Sequence, residues 1–380
     1  MKVLLYLASN SPFYQNLYPS IKKGFEEAGC EVHGDANLLA KKELIEKIKL
    51  FKPDFVFEMN RVKSEIENFP KGVIHICWLV DFWGRVHDEL KGSDILYVWA
   101  DEWVKHFQKI GMKEVYHLPP ATDKTIYKPL KLKKRYDFIF LGHISKNWTD
   151  EELSRKIGFK DKKIVYFKDL LPYAKKYVTA KNNNVSFLDS LADENIILNN
   201  SIDKTIIYDI SNRTYRQIRR EYFIDVFTKT SDNIVIYGSE NWKLYDGYSS
   251  YYKGYISKPN EINRAICESN ILLHDGNYPH FRTFDAMASG VVVAAAQPPD
   301  NFDNPWRKLG FKDGEDYINV DIYSKKIDIK LFKDKNLLKK ISQNAKEKVL
   351  KEHLWVHRAQ RVLKDVSDLL KRNKDVKRQL

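Results

Sequence analysis

Short apolar runs alternate with amphipathic segments along the whole chain. The runs are four to eight residues long and fit buried strands, whereas the segments between them carry apolar residues at helical spacing. The pattern predicts strands at Val3–Ala8, Glu31–His33, Phe55–Met59, Val73–Val80, Ile95–Ala100, Val115–Leu118, Tyr136–Gly142, Ile234–Gly238, Gly254–Ile256, Ile271–His274 and Val291–Ala295. It predicts helices at Pro19–Ala28, Lys41–Phe51, Asp101–Ile110, Tyr215–Thr228, Pro259–Cys267 and from Phe281 to Gly290. Alternation of this kind is typical of an α/β protein with mostly parallel, doubly wound sheets.

The alternation is broken once, at Pro119-Pro120 and the polar stretch after it, which predicts a linker. A chain of 380 residues is also too long for one ordinary core. We therefore expect two Rossmann-like domains, residues 1–125 and 126–354, facing each other across a cleft. Residues 145–213 fit neither pattern and are interpreted as an insertion into the second domain. A closing helix at about 355–380 is expected to pack back on the first domain.

The segment 271–296 contains the most informative chemistry. A strand leads into the loop Asp275–His280, and a helix opens near Phe281. Arg282 and Thr283 then lie at a helix N-terminus, where free backbone N–H groups and the positive end of the helix dipole favour a phosphate. Asp285, one turn further on, is placed to bind a sugar hydroxyl. The alternative is an ordinary βαβ unit without a ligand.

Composition narrows the class of protein. Hydrophobic residues make up 43% of the chain, which is typical of a globular protein, and no apolar run approaches the ~20 residues of a membrane span. The start resembles a first buried strand more than a signal peptide. Three widely spaced cysteines favour a reducing compartment, so we expect a cytoplasmic protein.

The net charge of +13 is uneven, because roughly ten of these charges lie in the last 51 residues. Such a tail is typical of proteins that contact the anionic inner face of a membrane, nucleic acid or an acidic substrate. A lysine-rich helix face exposed to solvent is the alternative.

Several segments together resemble the glycosyltransferases of the CgeB type, which have the GT-B fold of group 1-like enzymes. The matching pieces are KPDFVFEMN, LVDFW, DILYVWADEWVKHFQKIGMKEVYHLPPATD, DFIFLG, RREYFIDVF, IVIYGSENW, KGYISKPNEINRAICESNILLH, FRTFDAMASG and EHLWVHR. The resemblance covers most of the chain outside residues 145–213. It implies transfer of a sugar from a nucleotide diphosphate sugar, UDP- or GDP-type, to an acceptor hydroxyl, with no cofactor and no bound metal.

The resemblance also implies where the donor is held. The diphosphate is expected at residues 277–283, its charge neutralised by helix N–H groups and Arg282, and the nucleotide base near Tyr255 and Ile256. The full set of donor residues implied is Gly142, His143, Tyr237, Gly238, Trp242, Tyr255, Ile256, Asn277, His280, Phe281, Arg282, Thr283 and Asp285. Many GT-B enzymes carry two glutamates eight positions apart where this chain has Asn277 and Asp285, so a sugar-binding role for Asn277 departs from the pattern.

The candidate catalytic base is Asp81, a carboxylate at a predicted strand end among aromatic residues, where its pKa would be raised. Trp78 and Trp83 offer ring faces for an acceptor sugar; Asn10, Ser11 and Tyr14 follow the first strand and are the other acceptor candidates. Alternatively, Asp81 caps a turn and the tryptophans belong to the core. The acceptor itself stays open among a glycan, a protein, a lipid and modified DNA.

Two other classes of function remain open. One is a nucleotide-sugar epimerase on the same fold, and the other is a non-catalytic protein that keeps the nucleotide site.

Overall fold

The computed structural model describes residues 1–82, 85, 87–180, 187–199, 204–298, 303–323 and 328–379. The first domain contains a sheet of six parallel strands in the order β2-β1-β3-β4-β5-β6. Its elements are β1 Lys2–Tyr6, α1 Pro12–Glu27, β2 Glu31–Asp35, α2 Lys41–Phe51, β3 Phe55–Met59, β4 Ile74–Leu79, β5 Ile95–Val98, α3 Asp101–Lys109 and β6 Val115–His117. All residues of β3 and β4 are buried, as expected for central strands covered on both faces.

The second domain contains a sheet of five parallel strands in the order β11-β7-β12-β13-β14. From Tyr136 onward the elements are β7 Tyr136–Leu141, α4 Asp150–Leu153, β8 Lys156–Lys160, β9 Lys163–Tyr166, α5 Leu171–Thr179, α6 Phe187–Asp193, β10 Ile196–Leu198, α7 Lys204–Thr228, β11 Ile234–Tyr237, α8 Pro259–Cys267, β12 Ser269–His274, α9 Phe281–Ala288, β13 Val292–Ala296, α10 Pro305–Lys308, β14 Ile318–Val320, α11 Lys335–Glu352 and α12 Trp355–Gln379. Gly290, with φ of 72°, ends the α9 turn in the left-handed conformation that glycine favours.

The structure corrects three element predictions. Helix α1 begins at Pro12, a favoured first-turn position, and continues through Pro19, which the sequence had suggested as its start. Residues 254–256 form no strand; only Tyr252 makes an isolated bridge, to Ile236. Helix α7 begins at Lys204, eleven residues before its predicted start.

The segment between β7 and α7 folds around a small antiparallel sheet in the order β10-β8-β9, with its own buried cluster. The sequence predicted an insertion here but no strands. The strands are too short, and the lysines in them too frequent, to give a clear alternating pattern.

The chain crosses between the domains near Thr122 and again near His353. The two crossings are hydrogen-bonded: the Thr122 N–H donates to the His353 carbonyl (3.2 Å), and the Trp355 N–H to the Thr122 carbonyl (3.3 Å). Helix α12 then packs against α1, and its Asp365 accepts a hydrogen bond from the Tyr97 hydroxyl at 2.8 Å. Among the helices described, none has the length and apolar character needed to cross a membrane.

Candidate functional site

A cavity of about 370 Å³ lies between the two domains, where β7 and β11 end. One wall comes from α1 and the linker, and the other from second-domain loops and the start of α9. It is lined by Phe13, Asn16, Leu17, Ser20, Ala121, Asp123, Ile126, Tyr127, Leu141, Gly142, His143, Tyr237, Gly238, Tyr255, Ile256, Ser257, Pro259, Ile262, His280, Phe281, Arg282, Asp285 and Trp355. Ten of the thirteen residues implied for the donor site are therefore brought together; Trp242, Asn277 and Thr283 lie outside the lining.

The start of α9 is held in place by Thr283. Its hydroxyl donates to the His280 carbonyl (2.7 Å) and accepts from the His280 N–H (2.9 Å). Thr283 is fully buried, so its role is to cap the helix rather than to touch a ligand. The first turn of α9 still presents backbone N–H groups that have no partner within the helix.

Arg282 carries a charge in this cavity that the protein leaves largely uncompensated. Its guanidinium donates to the Leu141 carbonyl. Among the described residues, no carboxylate lies within ion-pair distance of Arg282. Burial, and next to it the neighbouring charge of Arg220, lower the pKa of Arg282 from 12.5 to about 10. The side chain is therefore still protonated at neutral pH and lacks an anionic partner.

Two glycines allow the strand ends to approach each other and Arg282. A Cβ atom on Gly238 would lie 1.9 Å from the Gly142 carbonyl oxygen. A Cβ on Gly142 would lie 3.0 Å from Nη1 of Arg282, so that guanidinium occupies the space beside Gly142. Trp242 is buried behind them and donates from its indole nitrogen to the Gly142 carbonyl at 2.8 Å. Trp242 thus stabilises the backbone at Gly142 without lining the cavity.

Asp285 faces the cavity from α9 but is already bound to the linker. Its carboxylate accepts from the Thr122 hydroxyl at 2.6 Å, and the Tyr127 hydroxyl is a second donor. Burial raises the pKa of Asp285 well above its ordinary value, and these hydrogen bonds offset only part of that shift. A carboxylate can accept further hydrogen bonds, so Asp285 remains able to bind a ligand hydroxyl.

Asn277 belongs to a hydrogen-bonded network that fixes the loop before α9. Its side-chain oxygen accepts from Nη2 of Arg219 at 2.6 Å, and Arg219 also donates to the Asp275 carbonyl. The Asp275 carboxylate accepts from Arg220 at 2.7 Å, and burial is outweighed there by Arg220, so the pKa of Asp275 is lowered. Asn277 therefore stabilises the conformation of this loop.

Two histidines line the cavity in different surroundings. His280 is half-buried; desolvation of its ring lowers its pKa well below the ordinary value, and no described residue is hydrogen-bonded to its Nδ1. It is neutral at physiological pH and has a ring nitrogen free for a ligand. His143 is exposed, and its ring centroid lies 5.7 Å from that of Tyr255, whose side chain is 54% exposed.

Asp81 lies outside the lined cavity, at the end of β4. The Asn60 side-chain oxygen accepts from the backbone N–H groups of Val80 and Asp81 at 2.7 and 3.0 Å and so shapes this turn. The Asp81 side chain itself reaches solvent. The surrounding protein raises the pKa of Asp81, and Arg216 of α7 lowers it in part. Asp81 also raises the pKa of Tyr14, so it lies near residues of both domains.

The remaining acceptor candidates differ in accessibility. Trp78 is 1% exposed and donates from its indole nitrogen to the Leu118 carbonyl at 3.0 Å, so its ring has no face open to a sugar. This corrects the expectation for Trp78 and agrees with the alternative that it is core. Asn10 and Ser11 are exposed and Tyr14 is half-buried beside Phe13. Trp83 lies outside the described residues.

Phe281 lines the cavity and also packs against the first domain. Its ring packs with aromatic residues of the first domain and of α12, 5.4 Å from Phe13, 6.2 Å from Trp78 and 6.1 Å from Trp355 between centroids. It anchors the start of α9 to the first domain.

Sequence reasoning missed the contributions of Thr122, Tyr127, Asn16, Arg219 and Arg220. Asn16 donates to the Ser257 carbonyl at 2.7 Å across the cleft. The run of arginines in TYRQIRRE was the only sequence signal for Arg219 and Arg220. The contacts of the linker and of Asn16 gave no such signal, because they join segments that are distant in sequence.

The chain was also compared with known protein families and with curated proteins. Residues 216–364 match the model of a family described as glycosyl transferase-like. No curated protein matches the chain by sequence.

Solved structures of glycosyltransferases share the fold. AviGT4, involved in avilamycin A biosynthesis, has a TM-score of 0.54 at 11% identity over 97% of this chain and 98% of that one. Anabaena HepE in complex with UDP has a TM-score of 0.54 at 12% identity, over 97% and 100% of the two chains. Sucrose-phosphate synthase from Thermosynechococcus elongatus has a TM-score of 0.51 at 9% identity, over 98% and 100%. The predicted fold, GT-B with two Rossmann-like domains, is confirmed.

Proposed function

We propose that this protein is a glycosyltransferase that moves a sugar from a nucleotide diphosphate sugar to an acceptor hydroxyl. The observation that carries the proposal is Arg282, a half-buried cation without a paired carboxylate, at the N-terminus of α9 in the cavity between the domains. A charge drawn partly out of water without a partner is costly, and a ligand diphosphate would supply the missing anion. The family match over residues 216–364 and the shared fold support the same conclusion.

In this proposal the donor diphosphate lies against the first turn of α9 and Arg282. These groups stabilise the charge that develops on the leaving diphosphate, and no metal ion is required. Asp285 binds a ribose or sugar hydroxyl, and the nucleotide base lies near Tyr255 and His143. Binding of UDP by HepE makes a uridine donor the first to test.

Asp81 is proposed as the base that accepts the proton of the acceptor hydroxyl. Its raised pKa and its position near α7 support this role. Membership of the CgeB type, the hexosyl nature of the sugar and the nature of the acceptor stay predictions.

The test is a donor screen with the purified protein. Calorimetric titration with UDP, GDP and dTDP should identify one nucleoside diphosphate that binds, and the matching nucleotide sugar should release nucleotide in the presence of acceptors. Failure of all nucleoside diphosphates to bind would overturn the site. Binding without turnover, for any donor and acceptor, would favour the non-catalytic alternative, and interconversion of the sugar on the nucleotide would favour the epimerase.

A further inference from the structure

The insertion between β7 and α7 carries an apolar row on the outer face of its sheet. Ile197 of β10 pairs with Phe159 of β8, and Phe159 pairs with Ile164 of β9. Residues directly opposite in antiparallel strands lie on the same face, so the three side chains form one continuous row. They are 72%, 46% and 43% exposed. An outer sheet face is ordinarily polar, so this row is a candidate contact surface.

The other face of the same sheet is an ordinary core. Ile157, Val165 and Ile196 are buried there against Phe167 and Leu170. The sheet therefore has its own supporting core, and the outer row is not needed to complete it.

Lysines are frequent in the hairpin that carries the apolar row. Between residues 156 and 168 there are five lysines and one aspartate, a net charge of +4. The turn of the hairpin places Asp161 and Lys162 at positive φ, 50° and 64°, as a two-residue hairpin turn requires. Lys156, Lys162, Lys163 and Lys168 are exposed, and none of them forms an ion pair with a described residue.

We infer that this face, defined by Phe159, Ile164 and Ile197 with the surrounding lysines, docks on an anionic lipid bilayer. The apolar row would enter the headgroup region while the lysines bind acidic headgroups. A second copy of the chain fits less well, because two such faces would oppose like charges. Three side chains also fall short of the roughly 800 Å² per partner of a stable interface.

The basic C-terminal helix is a weaker candidate for the same contact. Its Arg361, Lys364 and Arg372 are paired with Asp365, Asp368 and Glu114 at 2.8, 2.7 and 2.7 Å. Of the hairpin lysines, only Lys160 has such a partner among the described residues, Glu194 at 3.8 Å, so the charge of the other four is available to a lipid surface.

The insertion is also firmly attached to the second domain. Arg213 of α7 bonds Glu152 at 2.9 Å and lies 3.6 Å from the centre of the Trp148 ring. The same helix holds Arg219 and Arg220 beside the cavity, so docking of the hairpin would orient the cleft relative to the bilayer. The inference does not depend on the reaction proposed above.

The test is sedimentation of the full-length protein with phosphatidylcholine vesicles, with and without phosphatidylglycerol. We expect binding only to the phosphatidylglycerol vesicles and weaker binding as salt is raised. Lys156→Gln with Lys162→Gln should lower the partition coefficient roughly 25-fold at low salt, because each lysine near an anionic surface contributes about fivefold. Lys339→Gln with Lys340→Gln removes the same charge from exposed positions on α11 and should have little effect.

A second measurement follows the apolar row. Ile164→Cys, labelled with a polarity-sensitive dye, should shift its emission to the blue on vesicles, and the three native cysteines are buried and do not compete for the dye. Equal binding by the hairpin and α11 variants, or no shift at Ile164, overturns the inference. A dimer in solution that Phe159→Thr abolishes would assign the face to a second copy instead.

Discussion

Replacing Arg282 by methionine separates ligand binding from folding more sharply than any other substitution in this site. Burial lowers the pKa of Arg282 from 12.5 to about 10. For a cation, a lowered pKa in the folded protein means that the charged form is less stable there than in the unfolded chain. The resulting loss of folding stability is complete below the folded pKa and is recovered as pH rises through it. At about 1.36 kcal/mol per pKa unit, the charge costs roughly 3 kcal/mol at neutral pH.

Methionine removes this cost and also the hydrogen bond to the Leu141 carbonyl, which is worth about 1–2 kcal/mol. The ligand-free variant should therefore gain roughly 1–2 kcal/mol, or roughly 2–6 °C in Tm. A diphosphate would lose two charge-assisted hydrogen bonds, about 3–4 kcal/mol together, which weakens binding roughly 10²–10³-fold.

The assay is a thermal melt of wild type and variant with and without the nucleoside diphosphate, checked by calorimetric titration. Arg220→Met is the matched control. Arg220 is paired with buried Asp275, so its removal leaves an uncompensated carboxylate and should destabilise the free protein by about 3–5 kcal/mol. The reasoning is refuted if Arg282→Met binds the nucleotide like wild type, or if it lowers Tm as Arg220→Met does.

Four further predictions concern the neighbouring residues. Because the pKa of Asp285 is raised in the folded protein, its contribution to stability is present at low pH and lost as pH rises through the folded value. Asp285→Asn should remove that loss of stability as pH rises above about 4, seen as a flatter Tm profile, and a profile identical to wild type would contradict the pKa direction. Asp81→Asn should leave nucleotide binding intact and slow transfer about 10²–10⁴-fold, as expected for loss of a general base, and normal transfer rates would exclude Asp81. Gly238→Ala should destabilise the protein by about 1–3 kcal/mol or more, because its Cβ would meet the Gly142 carbonyl, whereas a Cβ at Gly247 meets nothing within 4 Å and serves as the control. Transfer should continue in excess EDTA; loss of activity that a divalent cation restores would show a metal requirement.

The periodicity of the chain was sufficient to predict most elements of the two large sheets. Strands such as Phe55–Met59 are buried on both faces, so their apolar character is visible in one short window. Prediction failed where local signals compete. Pro19 is a frequent helix start, yet packing of α1 against α12 keeps the helix continuous from Pro12.

The glycines and Arg282 show how far the sequence alone determined the site. A strand, a glycine-containing loop and a helix beginning at Phe281 place backbone N–H groups and Arg282 together by local geometry, and these residues do line the cavity. The tertiary structure decided what each of the other side chains does. Asn277 is held by Arg219, and Asp285 by Thr122, which is 163 positions away in the chain. Trp78 is covered by α12 and α9. Local geometry can be read from adjacent residues, but whether a polar or aromatic side chain is free to meet a ligand depends on distant segments that reach it only when the domains pack.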